Sequence, residues 1–164
     1  MTDPLLSFRQ EFPILERTTY LASNRDSFQF DEAIADYDAA LVLNSDSAIA
    51  YLNRGNAYRD SGHRDQAIAD FSKAIQLDPL YVSPYINRGL LYEETNDFDL
   101  AISDFTRAIE LDSTRKAAYR RRGLIYYSQG QNELAFADLK KFVELNGGDD
   151  IEIREIISTL EGAG

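Results

Sequence analysis

Cysteine and tryptophan are absent from this 164-residue chain, and its only histidine is His63. Without cysteine, disulfide frameworks, thiolate nucleophiles and the usual zinc clusters are excluded. A single histidine supplies neither a metal site nor a catalytic triad, and no glycine-rich phosphate loop follows a strand. The sequence therefore predicts a protein that is not an enzyme and that uses no cofactor and no metal.

Long apolar runs are missing as well. No stretch approaches the roughly 18 uninterrupted apolar residues of a membrane span. Residues 1–13 carry Asp3 and Glu11 and lack the basic segment followed by an apolar one that marks a secretory signal. We expect no membrane association and, by default, a cytoplasmic location.

Acidic residues outnumber basic ones by 28 to 17, and the formal net charge is −11. Such a field repels phosphate backbones, so we expect no nucleic-acid partner. The charge is uneven, because residues 113–132 contain no acid and five bases: Arg115, Lys116, Arg120, Arg121 and Arg122. A basic cluster in an acidic protein predicts one wall of a groove for an acidic peptide.

Similar residues recur at an interval of 34 along most of the chain. Three glycines with this spacing are Gly55, Gly89 and Gly123, and each has a tyrosine four residues before it and another three residues after it. A second set with the same spacing consists of Ala33, Ala67, Ala101 and Ala135, of Asp36, Asp70, Asp104 and Asp138, and of Tyr37, Phe71, Phe105 and Leu139. A fixed period of this length indicates stacked copies of one supersecondary unit.

This pattern resembles the tetratricopeptide repeat. The family signature of aromatic, Gly, Tyr, Ala, aromatic, Ala and a late Pro is matched by Tyr51, Gly55, Tyr58, Ala67, Phe71, Ala74 and Pro79. The resemblance implies an all-α fold, a right-handed α-solenoid of helix-turn-helix repeats. We predict helices near residues 48–61, 64–77, 82–95, 98–111, 116–129 and 132–145.

The resemblance divides the chain into six parts. Three full repeats cover residues 48–81, 82–115 and 116–149, after a degenerate repeat at 14–47. Residues 1–13 form an N-terminal arm or short helix in this scheme, and residues 150–164 form a C-terminal capping helix and tail. In the degenerate repeat, residues 14–25 are the expected first helix and residues 31–43 the second.

Glycine inside a helix costs about 0.5–1 kcal/mol relative to alanine, so its recurrence predicts that the paired helices approach closely there. Gly62, Asn96 and Gly130 stand at equivalent turns and predict left-handed residues that end the first helices. The arginines that precede the three helical glycines recur in step with aspartates of the preceding second helices, namely Asp36, Asp70 and Asp104. We predict ion pairs between these arginines and those aspartates, and we assign the arginines to structure.

Stacked repeats curve so that the first helices line a concave side. The candidate peptide-binding residues on that side are Leu52, Asn53, Asn56, Ile86, Asn87, Leu90, Arg120, Arg121 and Leu124. Asn53, Asn87 and Arg121 share one repeat position, where amide and guanidinium groups can hold a peptide backbone or a carboxylate. We predict a non-catalytic adaptor or scaffold that binds an extended peptide or helix of a partner protein.

Co-chaperones of this family grip acidic C-terminal tails with a five-residue carboxylate clamp, which gives an alternative function. The resemblance assigns three of the five places to Asn56, Asn87 and Arg121, whereas Leu52 and Ala117 stand where the clamp has lysine. An acidic or carboxylate end would then lie near Arg120 and Arg121.

Three further alternatives stay open. In one of them, Asn53, Asn87 and Arg121 are only a solvated face, since rows of exposed amides and charges are often only surface. Phe-Pro-Ile-Leu at 12–15 and Tyr-Leu at 20–21 resemble the start of class V aminotransferases, which would make the chain a remnant of an enzyme that uses pyridoxal phosphate. Weak self-association through the concave face or through an imperfect N-terminal cap is the third.

Overall fold

A computed structural model describes residues 14–146 and 150–162, with side chains described over 29–145 and 150–162. Within these residues the chain forms eight helices and no strand. They are α1 (Ile14–Leu43), α2 (Ala48–Asp60), α3 (Arg64–Leu77), α4 (Val82–Glu94), α5 (Phe98–Leu111), α6 (Lys116–Ser128), α7 (Asn132–Asn146) and α8 (Ile151–Gly162). No helix in the described part of the chain is both long and apolar enough to cross a membrane.

The helices pack as successive pairs, and each pair also contacts the next. The pairs are α2 with α3, α4 with α5, and α6 with α7, which confirms the six predicted helices to within one residue at each end. The second helix of each pair supplies the most deeply buried side chains, which include Ala67, Phe71, Ala74, Ala101, Phe105 and Ala108. Burial of these small and aromatic residues at helical spacing holds each pair together.

The helical glycines lie where paired helices meet. A Cβ added at Gly55 would lie 2.7 Å from a ring carbon of Phe71, and one at Gly89 would lie 2.9 Å from Phe105. At Gly123 the nearest atom is a methyl carbon of Leu139, at 2.8 Å. These separations are below the van der Waals contact of two carbon atoms, so the predicted close approach is confirmed.

The turns inside the pairs also match their prediction. Gly62 and Gly130 have φ of 82° and 71°, and Asn96 has φ of 62° at the equivalent place. Asparagine is among the few residues that adopt this left-handed conformation at low cost. One turn geometry therefore serves all three repeats.

The C-terminal end of the stack is covered by α8. Ile153 is fully buried against Leu139 and Phe142 of α7, as expected for a capping helix. Ile157 lies one repeat period after Gly123, and so it replaces the glycine of the repeat pattern. A second helix could not approach α8 at this position as closely as α7 approaches α6 at Gly123.

The N-terminal end differs from the prediction. Residues 14–43 form one continuous helix, with no turn between residues 25 and 31 to divide it into a pair. The physical reason lies at Leu21, which stands one repeat period before Gly55. A leucine at the glycine position would collide with the aromatic residue of the second helix, so this segment cannot pack as a standard first helix. The predicted arm at 1–13 lies outside the described residues, and the limits of the individual repeats stay predictions.

Candidate peptide-binding groove

The first helices α2, α4 and α6 lie side by side, and α4 contacts both α2 and α6. Asn53, Asn87 and Arg121 occupy one position in these three helices, and all three are half-buried rather than covered by neighbouring helices. Asn87 contacts Asn56 of α2, and Arg121 contacts Glu93 of α4. In α4 and α6 the side chain at this shared position thus faces the preceding first helix. We call the surface along which Asn53, Asn56, Asn87 and Arg121 lie the groove.

An amide pair joins two repeats in the groove. Nδ2 of Asn87 donates a hydrogen bond of 2.8 Å to Oδ1 of Asn56. Each carboxamide has more hydrogen-bonding capacity than this one bond uses, namely the second N–H and the carbonyl oxygen of Asn87 and the amino group of Asn56. An extended peptide backbone, which alternates donors and acceptors, has the complementary chemistry.

Arg121 is more loosely held. Its single contact among the described residues joins Nη1 to Oε1 of Glu93 at 3.4 Å, and its side chain is 43% exposed. The other carboxylate oxygen of Glu93 is buried and has no hydrogen-bond partner in the part of the chain that the structure describes. An open cleft of about 400 Å³ lies here, lined by Arg59, Leu90, Glu93, Glu94 and Arg121. Most of the guanidinium fork of Arg121 therefore has hydrogen-bonding capacity for a ligand.

Arg120 points elsewhere. It contacts Asp150 at 3.0 Å and Glu152 at 3.5 Å, both at the start of the capping helix. The hydrogen bond from Arg120 holds the pKa of Asp150 below its usual value. These ion pairs hold Arg120 against the start of α8, and its contact with a peptide stays a prediction.

The prediction places Leu52 in the groove, but this side chain lies in the core. Only 6% of it is exposed, and it packs with Phe71 and Leu91 in the core between two repeats. A leucine at this position gains more from burial than from facing a groove. Leu90, Ile86 and Leu124 are half-buried and rest on the hydrophobic core, so they form an apolar floor beside the polar residues.

Ion pairs between repeat helices exist, but the predicted partners are wrong. Arg54 contacts Asp70 instead of Asp36, and the two later arginines follow the same rule. Each arginine pairs with the aspartate of the second helix that follows it, Arg88 with Asp104 and Arg122 with Asp138, both at 2.7 Å. The aspartates are buried, and the hydrogen bonds that Arg88 and Arg122 donate to them raise the pKa of both arginines above the usual value. The repeat period places an aspartate on both sides of every arginine, so spacing alone could not choose between them.

Comparison with protein families agrees with this architecture. A model described as TPR repeat matches residues 29–62 and 55–96. Two more, both described as tetratricopeptide repeat, match residues 82–115 and 117–149, so that matches extend over 29–149. The chain belongs to the tetratricopeptide repeat family.

Solved tetratricopeptide repeat structures are similar to this chain over most of its length. The first TPR of Spaghetti (RPAP3), bound to the HSP90 peptide SRMEEVD, is 28% identical over 71% of this chain and 91% of that one, with a TM-score of 0.64. MamA is 28% identical over 87% of this chain and 83% of its own, with a TM-score of 0.75. The second TPR domain of human RPAP3, in complex with the HSP70 peptide SGPTIEEVD, is 26% identical over 70% and 94%, with a TM-score of 0.62. A comparison with curated protein sequences found no match.

The three residues that the family resemblance assigns to a carboxylate clamp, Asn56, Asn87 and Arg121, lie along one wall. Of the two residues that stand where the resemblance implies lysine, Leu52 is buried and Ala117 is exposed. Among residues 29–145 and 150–162, no three His, Asp or Glu side chains come together as metal ligands.

Proposed function

We propose that this tetratricopeptide repeat chain is a non-catalytic adaptor or scaffold that binds an extended segment of a partner protein in the groove. The observation that carries the proposal is the Asn56–Asn87 amide pair, which places the polar residues of two repeats side by side. Beside them, half-buried Ile86 and Leu90 offer apolar contact. Amides read a peptide backbone without requiring one particular side chain, and the apolar floor adds affinity.

Affinity capture followed by mass spectrometry tests this proposal. The variant Asn53→Ala/Asn87→Ala/Arg121→Ala removes two amides and one guanidinium from the groove. A matched control, Gln76→Ala/Gln131→Ala/Arg107→Ala, removes the same groups from positions outside the groove. Partners captured by the wild type and the control, but lost from the groove variant, support the proposal. Identical partners in all three captures contradict it.

A carboxylate at the end of the bound segment is a second candidate, favoured by the exposed and loosely held side chain of Arg121. The similar structures that hold HSP90 and HSP70 peptides support an acidic tail. The missing clamp lysines remove two charged contacts, so any such binding is weaker than in a complete clamp.

The peptide SRMEEVD, as a free acid and as a C-terminal amide, distinguishes the two candidates in a fluorescence anisotropy titration. Recognition of a terminal carboxylate predicts that amidation and Arg121→Ala each weaken binding about tenfold, the usual effect of one charged hydrogen bond. Recognition of backbone predicts similar affinity for both forms. Arg107→Ala, which removes an equally exposed arginine outside the groove, should leave the affinity unchanged in either case.

A further inference from the structure

Among the side chains at 29–145 and 150–162, nothing covers one face of α1, whereas the equivalent faces of α3 and α5 are covered. The face is a stripe at helical spacing, made up of Ala33, Asp36, Tyr37 and Ala40. Its equivalents in α3 and α5 are almost completely buried, with alanines and phenylalanines at 0% exposure and aspartates at 5% and 4%. In α1, Asp36 and Ala40 are exposed, and Ala33 and Tyr37 are half-buried. We call this stripe the α1 face.

The rest of α1 packs against α2 as the second helix of a repeat packs against the first helix of the next repeat. Leu41 is buried, and Asp38 forms an ion pair with Arg54 of α2. The helix therefore takes the place of a second helix toward the repeat that follows it. Among the described side chains, no helix covers the α1 face, which is the side where a first helix would pack in a full repeat. Leu43, at the end of the same stripe, is 89% exposed.

The molecule itself shows what covers such a face. In each full repeat a first helix lies on it, with a glycine over the aromatic residue or leucine of the stripe. The arginine before that glycine grips the aspartate of the stripe through two hydrogen bonds, as Arg88 does with Asp104. Among the side chains that the structure describes, no cation contacts Asp36. Within residues 29–145 and 150–162, the α1 face thus has the carboxylate and the small residues of the contact but no arginine and no glycine opposite them.

The two residues that lie one repeat period before Arg54 and Gly55 do not match this face. The repeat register would place Tyr20 and Leu21 over it, in place of the arginine and the glycine. Tyrosine supplies no charge to Asp36, and a leucine side chain requires space that the close approach removes. In the structure these residues continue α1 instead of folding back over it.

From this complementarity we infer that the α1 face is a docking site for a helix of a partner protein. The partner helix carries an arginine followed directly by a glycine, with aromatic residues on either side, and it completes the first pair of the solenoid. Its arginine forms a fork with Asp36, and its glycine lies against Tyr37 between Ala33 and Ala40. The site is on the end of the stack and is separate from the groove, so it does not depend on the proposed function.

The probe is a synthetic peptide of residues 80–96, which contains Arg88 and Gly89 in their natural context. A side-chain lactam between Ser83→Lys and Asn87→Asp holds it helical, because an isolated helix of this length is otherwise marginal in water. Both positions belong to the groove side of the helix and leave the docking side unchanged. Binding to the full chain is measured by isothermal titration calorimetry.

The variant Asp36→Asn removes the negative charge of the α1 face, and the variant Ala40→Trp blocks this face with a large ring. The control is Ala39→Trp, which places the same ring on the neighbouring exposed residue, off the stripe. We expect saturable binding of the peptide to the wild type and to Ala39→Trp. We expect roughly tenfold weaker binding to Asp36→Asn, and to a peptide in which Gly89→Leu replaces the glycine. Ala40→Trp should abolish binding while the circular dichroism spectrum stays unchanged.

Three results would overturn the inference. The first is equal affinity for Ala39→Trp and Ala40→Trp, which would place the peptide elsewhere. The second is failure of the full wild-type chain to bind the peptide. The third is a wild-type dimer in sedimentation that Ala40→Trp dissociates and Ala39→Trp does not, which would make a second copy the occupant.

Discussion

Arg88 lies between Asp104 of α5 and Ser72 of α3. Its Nε and Nη2 donate to the two carboxylate oxygens of Asp104 at 2.8 and 2.7 Å, and its Nη1 donates to Oγ of Ser72 at 2.9 Å. The two partners are equally distant from the arginine along the sequence, one after it and one before it. Arg122 repeats the arrangement with Asp138 and Thr106. One side chain thus ties three consecutive helices together in each repeat.

Removal of this arginine should destabilise the fold strongly. Arg88→Ala leaves the carboxylate of Asp104 buried without a partner, at an expected cost on the order of 3 kcal/mol in the free energy of unfolding. The double variant Arg88→Met/Asp104→Leu removes the unpaired charge as well, so it should recover most of that loss. Urea unfolding measures both. A double variant that is less stable than the single one would contradict the assignment of the loss to a buried, unpaired carboxylate.

Alanine at the helix-crossing glycine should also destabilise the fold. Gly55→Ala places a methyl group 2.7 Å from the ring of Phe71, and the expected net cost is about 1–2 kcal/mol despite the better helix propensity of alanine. Gly162→Ala is the matched control, because nothing lies within 4 Å of a Cβ at that position. Thermal unfolding should show a lower midpoint for the first variant only. Equal midpoints would mean that the helices can separate at no cost.

The contact of the capping helix should depend on pH. Because the pKa of Asp150 is lowered in the folded state by Arg120, its ion pair stabilises the fold above the ordinary aspartate pKa of about 3.9. That contribution is lost as the pH falls through the folded-state pKa. Asp150→Asn keeps a side-chain oxygen at the start of α8 and loses the charge. In urea unfolding, the free energy of unfolding of this variant should be lower than that of the wild type by the full amount at pH 7, and the difference should shrink below about pH 4. A deficit that is independent of pH would contradict this account.

Restoration of the two clamp lysines should have opposite consequences. Ala117 is exposed, so Ala117→Lys should leave stability unchanged and tighten binding of the peptide SRMEEVD in its free-acid form. Leu52 lies in the core, so Leu52→Lys should cost several kcal/mol, because a buried ammonium without a partner is strongly disfavoured. Circular dichroism during thermal unfolding separates the two. A Leu52→Lys chain as stable as the wild type would indicate that the side chain at position 52 lies in the groove and not in the core.

Sequence periodicity was sufficient for the helices of the full repeats, their turns and the reason for the glycines, since each depends on local spacing. It could not identify the ion-pair partner of Arg88, because Asp70 before the arginine and Asp104 after it both recur with the same period. The burial of Leu52 and the orientation of Arg120 depend on the crossing of neighbouring helices, which spacing does not contain. The continuous α1 could have been expected from the leucine at the glycine position, because a branched side chain there prevents a close pair.

Site-specific photo-crosslinking is the most direct test that the groove holds a partner. A benzoylphenylalanine placed at Asn53 lies in the groove, and one placed at Gln76 lies exposed on α3 outside it. After irradiation in cell extract, the account predicts a discrete crosslinked product from position 53 that Arg121→Ala weakens, and no such product from position 76. The same product from both positions, or a product from position 76 alone, would contradict the proposed groove.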